Sequence, residues 1–198
     1  MSASRSISAA LAGIALLVAS LTPADAAGPS IGRLGVGGTG CPAGTVSAAL
    51  TGGGSTLSLK FSKYQATAGG ARTLDRKACG VAIPFTVPAG KSVAIVGVQY
   101  AGRNKLPAGA TATLRTETFF AGGSGPVVSK TFTGPSASSY RFTSVASAPI
   151  WSACGASLNL RVNSSLRVNS PRGLSASSSV ASQDVSAGLI YLLKFRAC

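Results

Sequence analysis

Hydrophobic residues along this chain recur at every second position in short runs, and glycine, proline or serine ends each run. Leu57, Leu59 and Phe61 alternate with Ser58 and Lys60, and Val81, Ile83, Phe85 and Val87 alternate through Pro84. A period of two places successive side chains on opposite faces of a pleated strand, so each run predicts a half-buried β-strand. Pro84 has no N–H to donate, which predicts an edge strand or a bulge at that point. Residues 91–100 (KSVAIVGVQY) are apolar at both parities near their centre, as in a strand in the middle of a sheet. Threonine and aromatic residues over 112–120 favour another strand. Runs at 127–132 and 140–145 flank a turn-rich loop, 133–139 (TGPSASS). Leu189, Tyr191, Leu193 and Phe195 then line one face of a last strand.

The triplet Pro-Ala-Gly occurs at 42–44, 88–90 and 107–109, each time just before a β-type run. Proline at the second turn position with glycine at the fourth suits a type I turn, so the triplets read as strand starters. Their unequal spacing argues against a domain repeat. After residue 26 no segment of helical length shows a 3.6-residue period. About eight or nine strands at turn-separated intervals predict an all-β fold, a single-domain antiparallel β-sandwich.

Residues 158–169 (LNLRVNSSLRVN) divide most cleanly into two faces and carry LRVNS in tandem. Leu158, Leu160, Val162, Ser164, Leu166 and Val168 form a stripe predicted to face the core. Asn159, Arg161, Asn163, Ser165, Arg167 and Asn169 form the opposite stripe. Guanidinium forks bind phosphate, carboxylate or sulfate, and asparagine donates to neighbouring hydroxyls. Arg161, Arg167, Asn159, Asn163 and Asn169 are therefore candidate residues for binding a polyanion. The plainer alternative is the ordinary solvated face of an antiparallel strand.

The N-terminus changes the picture of where the chain goes. Arg5 precedes an uncharged apolar run over residues 7–21, and Pro23 separates that run from Ala24-Asp25-Ala26. A basic start, an apolar stretch and an A-x-A site in this order predict a secretory signal peptide over 1–26, with the mature chain starting at Ala27. The run is shorter than the roughly 20 apolar residues that span a bilayer, and no later stretch is long enough, so no transmembrane segment is expected. Residues 27–40 (AGPSIGRLGVGGTG) hold little to bury and read as a Gly-rich flexible leader, leaving 41–198 as the β-sandwich domain.

Four cysteines remain in the mature chain: Cys41, Cys79, Cys154 and Cys198. An even count in an exported protein predicts two disulfides with no free thiol, and four cysteines allow three pairings. Cys41–Cys79 with Cys154–Cys198 is the first choice because it closes the short loops. The charge is lopsided: 18 lysines and arginines stand against four acids, for a net +14. Cleavage after Ala26 removes Arg5 and Asp25 together, so the imbalance persists in the mature chain. With so few acids most cations find no partner within the molecule, and such a surface attracts polyanions.

An ordered set of short motifs carries a family likeness. It runs Gly40-Cys41-Pro42-x-Gly44-Thr45, Asp75-Arg76-Lys77-x-Cys79 and Leu106-Pro107-Ala108-Gly109-Ala110. Trp151-Ser152-x-Cys154-Gly155, the strand at 159–168 and Phe195-Arg196-x-Cys198 complete it. The set resembles the secreted proteins grouped as the domain of unknown function 4360 family, found in bacteria and fungi. Phe195 stands where the family pattern has tryptophan, and the loop around Asp184 is less acidic than the family's. The resemblance implies export and a β-rich fold; it implies no established activity.

Several chemistries are hard to build from these residues. Without histidine there is no Ser-His-Asp or Cys-His mechanism, and no serine lies three residues before a lysine. Glycoside hydrolysis ordinarily needs two carboxylates about 5–9.5 Å apart, whereas Asp75 sits beside Arg76 and Lys77 as an ion-pair partner would. Zinc, copper and calcium sites lack ligands at suitable spacing, so no catalytic residues, metal or cofactor are expected. Trp151, three residues before Cys154, reads more readily as packing beside a disulfide than as a sugar platform. The function expected is that of a secreted, basic, non-catalytic β-domain that binds an extracellular or cell-wall polyanion. The alternative is a structural envelope or matrix protein with no specific ligand.

Overall fold

A computed structural model describes residues 28–181 and 188–198; the signal segment 1–26 and Asp184 fall outside the described residues. The strands in chain order are β1 (Ser30–Ile31), β2 (Gly35–Gly37), β3 (Val46–Thr51), β4 (Thr56–Phe61), β5 (Gln65–Ala68) and β6 (Leu74–Thr86). They continue as β7 (Lys91–Leu106), β8 (Thr111–Phe120), β9 (Val127–Thr133), β10 (Ser136–Val145), β11 (Ser157–Asn169), β12 (Ala176–Val180) and β13 (Leu189–Ala197). All pairings are antiparallel and form two sheets. In sheet A the order is β1-β6-β11-β8-β9, with β2 beside β1 on the same edge of β6. In sheet B the long strand β7 is central. On one edge β13 pairs with its first half and β12 with its second, and β10 runs along the other edge. The β-sandwich expected from the period-two runs is the fold observed.

The strand count exceeds the eight or nine expected, and composition explains the excess. β3 (VSAALT), β5 (QATA) and β12 (ASSSV) are built from small residues whose hydrophobic alternation is faint. The inward positions of β5 and β12, Ala66, Ala68, Ala176 and Val180, are nevertheless buried, while Val46, Ala48 and Leu50 of β3 are half-buried. The leader expected to be flexible over 27–40 carries β1 and β2, both paired to β6. Backbone hydrogen bonds to an open strand edge hold it, a source of order that does not require large side chains. Pro84 sits where β1 gives way to β2: its carbonyl accepts from the Gly32 N–H at 2.9 Å, so the missing N–H falls in the gap between the two short strands.

The Pro-Ala-Gly triplets do start strands, by a different turn from the one expected. The N–H of Thr45, Lys91 and Ala110 each donates back to the proline carbonyl three residues earlier, at 3.1 Å. Proline is thus the first turn residue and glycine the third, with φ of 77°, 71° and 78° at Gly44, Gly90 and Gly109. A positive φ at the third position defines a type II turn, which is why glycine recurs there. The loop expected over 133–139 is shorter, because β10 begins at Ser136 and the chain passes between sheets at Gly134-Pro135.

The core lies between the sheets, where Leu57, Leu59, Tyr100 and Tyr191 of sheet B meet Ile83, Leu114, Leu160 and Leu166 of sheet A, all buried. The stacked rings of Tyr100 and Phe142, 4.6 Å apart, and the tilted pair Phe132–Tyr140, at 4.5 Å, close the side between β9 and β10. All four cysteines are paired as Cys41–Cys79 and Cys154–Cys198, with Cα separations of 5.3 and 6.1 Å. The first bridge ties the approach to β3 onto β6, and the second ties the approach to β11 onto the end of β13.

Candidate functional site: the outer face of sheet A

Strand β11 lies between β6 and β8, the centre of sheet A. Its even-numbered residues from Leu160 to Val168 are buried, while Arg161, Asn163 and Arg167 are exposed on the other face. The two arginines stand six residues apart, about 20 Å along a strand. The division of faces therefore follows the sequence pattern.

Register then brings in cations from the neighbouring strands. Arg76 of β6 is the direct cross-strand partner of Arg167. Arg115 of β8 lies opposite Ser165, one diagonal step from Arg167. All three guanidinium-bearing side chains are exposed on the same face. Directly opposed residues have Cβ atoms roughly 4.5–5.5 Å apart, and like charges there destabilise the pair. At the other end of the strip, Arg161 faces Ala82 on one side and Phe119 on the other. Glu117, half-buried opposite Asn163, is the carboxylate this face presents among the described residues.

The other described carboxylate serves the fold. Asp75 is buried and meets Arg72 at 3.1 Å and Lys77 at 3.7 Å, and the Thr67 N–H donates to it at 2.9 Å. This is the ion-pair role expected from its neighbours, with Arg72 in place of Arg76.

The asparagines differ from one another. Asn169 Nδ2 donates to Thr111 Oγ1 at 3.4 Å, and Arg167 Nη2 donates to Asn169 Oδ1 at 3.5 Å, so Asn169 steadies the Arg167 guanidinium. Asn163 is exposed. Asn159 does not belong to an open donor row: its Oδ1 is buried without a hydrogen-bond partner, beside Pro84. Arg76 and Arg115 are the members that sequence reasoning missed. Their parity marks them as outward, but which strands flank β11 is a long-range pairing that a local pattern does not contain.

Residues 27–198 match the family model described as Domain of unknown function (DUF4360). The chain belongs to that family. Among its relatives, an "Uncharacterized secreted protein" of Arthroderma benhamiae is 34% identical over 137 residues, covering 67% of this chain and 56% of the relative. The chain thus spans little more than half the length of that relative. The DUF4360 match takes in both disulfides and the whole of sheets A and B, in agreement with the likeness carried by the ordered motifs. A secreted relative and two disulfides give this DUF4360 domain an extracellular setting. Among the described residues no helix is long and apolar enough to cross a membrane, and no group of three His, Cys, Asp or Glu is placed to hold a metal ion.

Trp151 is only half-buried, so it is not the core residue expected beside the disulfide. It bridges to Ala94 of β7, and the Arg196 guanidinium lies 4.2 Å from its ring centroid. The outer face of sheet B is basic too, with Lys60, Lys105, Arg141, Lys194 and Arg196 exposed.

Proposed function

We propose that this secreted DUF4360 domain is a non-catalytic module that binds an extracellular polyanion across the outer face of sheet A. The observation that carries the proposal is the direct opposition of Arg76 and Arg167, with Arg115 one diagonal away. Such a triad costs the fold stability when empty, and an anion set among the three guanidiniums reverses the sign of the interaction. Arg161, about 20 Å further along β11, gives the face a second anchor, which suits an extended chain of repeating anionic groups better than one small ligand. Phosphate, carboxylate and sulfate polymers share the chemistry the forks recognise.

The test compares two double variants in binding to immobilised polyanions across a series of salt concentrations. R161Q/R167Q is expected to weaken binding and flatten its salt dependence; for single-stranded or duplex nucleic acid the slope falls by about 0.7–0.9 per lost phosphate contact. K60Q/K63Q, altering β4 and the turn after it in sheet B, is the control. A second reading, a structural envelope protein held by diffuse charge, draws support from the basic outer face of sheet B. Equal small losses in both double variants would favour it and overturn the sheet A site.

A further inference from the structure

A cavity of about 340 Å³ opens between the sheets at the end where β8 turns towards β9 and β10 leaves for β11. Ile95, Val98, Tyr100, Phe120 and Leu158 contribute to its lining, and the loops at 121–126 and 146–153 frame its mouth. Packed interiors rarely leave voids larger than a water, and this volume equals roughly eleven waters at about 30 Å³ each. It falls within the range of about 300–1,000 Å³ typical of small-molecule pockets.

The lining asks for an apolar occupant. The Tyr100 hydroxyl is already bonded to Thr116 Oγ1 at 2.9 Å, and Thr118 Oγ1 to the Tyr191 hydroxyl at 3.3 Å. The polar groups near the floor thus satisfy one another. At the mouth, Val145 is 75% exposed and Ile150 59% exposed, so the apolar lining continues to the opening. One cation touches the lining from outside. The Arg196 guanidinium lies 4.2 Å from the ring centroid of Trp151, which lines the cavity.

We propose that this cavity takes the alkyl tail of a single-chain anionic amphiphile of the fatty-acid class, leaving its carboxylate at the mouth near Arg196. The site lies between the sheets and stands independently of polyanion binding on the outer face.

The test uses the mature protein and dodecanoate below its micelle concentration, followed by calorimetry and by the fluorescence of Trp151, the chain's single tryptophan. The expected result is saturable one-to-one binding with a change in Trp151 emission. Across a series of chain lengths, affinity should rise roughly fourfold per methylene and then level off once the cavity is full. V128F, which thickens the lining, is expected to lower affinity by about tenfold or more. R196Q is expected to lose roughly two- to fivefold for dodecanoate and nothing for the neutral glycerol ester of the same tail. Absence of saturable binding to the unaltered protein overturns the proposal. So does an affinity that keeps rising with chain length at more than one equivalent, which signals adsorption on the basic surface. Because the chain-length series needs no variant, it decides the question even if V128F fails to fold.

Discussion

Ser164 is the one polar residue in the inward stripe of β11, and its environment gives the reason. The Tyr64 hydroxyl donates to Ser164 Oγ at 3.0 Å, and Ser164 Oγ donates to the Cys79 carbonyl at 3.2 Å, all buried. Tyr100 with Thr116 and Tyr191 with Thr118 repeat the device, so tyrosines from the sheet B side are matched by hydroxyls on the inner face of sheet A. Removing one partner leaves a buried donor unsatisfied. S164A is therefore expected to destabilise the protein by about 1–3 kcal/mol, read from the urea midpoint at unchanged m-value. S164A/Y64F should recover part of that loss, since deleting both partners removes the unsatisfied group; equal stability of S164A and the unaltered protein would refute the network's role. Alternation alone placed Ser164 inside and Arg161 and Arg167 outside. It could not name Tyr64 as the partner, one hundred residues away, nor anticipate that the Asn159 carbonyl would be buried at the end of the strip.

At the level of the element, legibility followed side-chain size. Strands with large alternating residues, such as β4, the second half of β6 and β11, stand out in the sequence because burial of bulky groups produces the signal. β12 and β5 pair through their backbones and fill the interface with alanine and serine, so the pattern that would announce them is weak. The Pro-Ala-Gly turns were legible as strand starts, but which turn position each residue takes depends on where the closing hydrogen bond falls. Proline suits more than one position, and the positive φ at glycine decides it. Gly90 offers a clean test because nothing lies within 4 Å of an added Cβ. Any cost of G90A is thus backbone strain at φ 71°, expected at about 1–2 kcal/mol in thermal or urea unfolding. G90N should lose less, because asparagine tolerates the left-handed region. A neutral G90A would contradict the type II assignment.

Taken whole, the molecule keeps its tyrosines inside and its cations outside, and that division sets its response to alkali. All four tyrosines are held protonated by burial: the Tyr64 hydroxyl is pushed up to about 12, and those of Tyr100, Tyr140 and Tyr191 are raised as well. Desolvation is the leading cause in each case, since a buried phenolate loses its hydration. In the unfolded chain each ionises near pH 10. Below that value both states hold the proton, and the stability linked to these groups is fully present. Above it the unfolded chain releases protons that the fold retains, so stability falls by about 1.4 kcal/mol per pH unit for each group until its raised value is reached. With no histidine in the chain, no such slope from that source appears between about pH 5 and 8. Repulsion among the exposed cations is a separate contribution to stability. High salt screens that term while leaving the buried phenols unaffected. The urea midpoint at high salt is therefore expected to stay level from neutral pH to near 10 and then drop steeply. Phenolate absorbance should emerge together with the loss of the β-sheet circular dichroism signal. Four tyrosines titrating near pH 10 in a protein that keeps its strands would show that the rings are not sealed between the sheets.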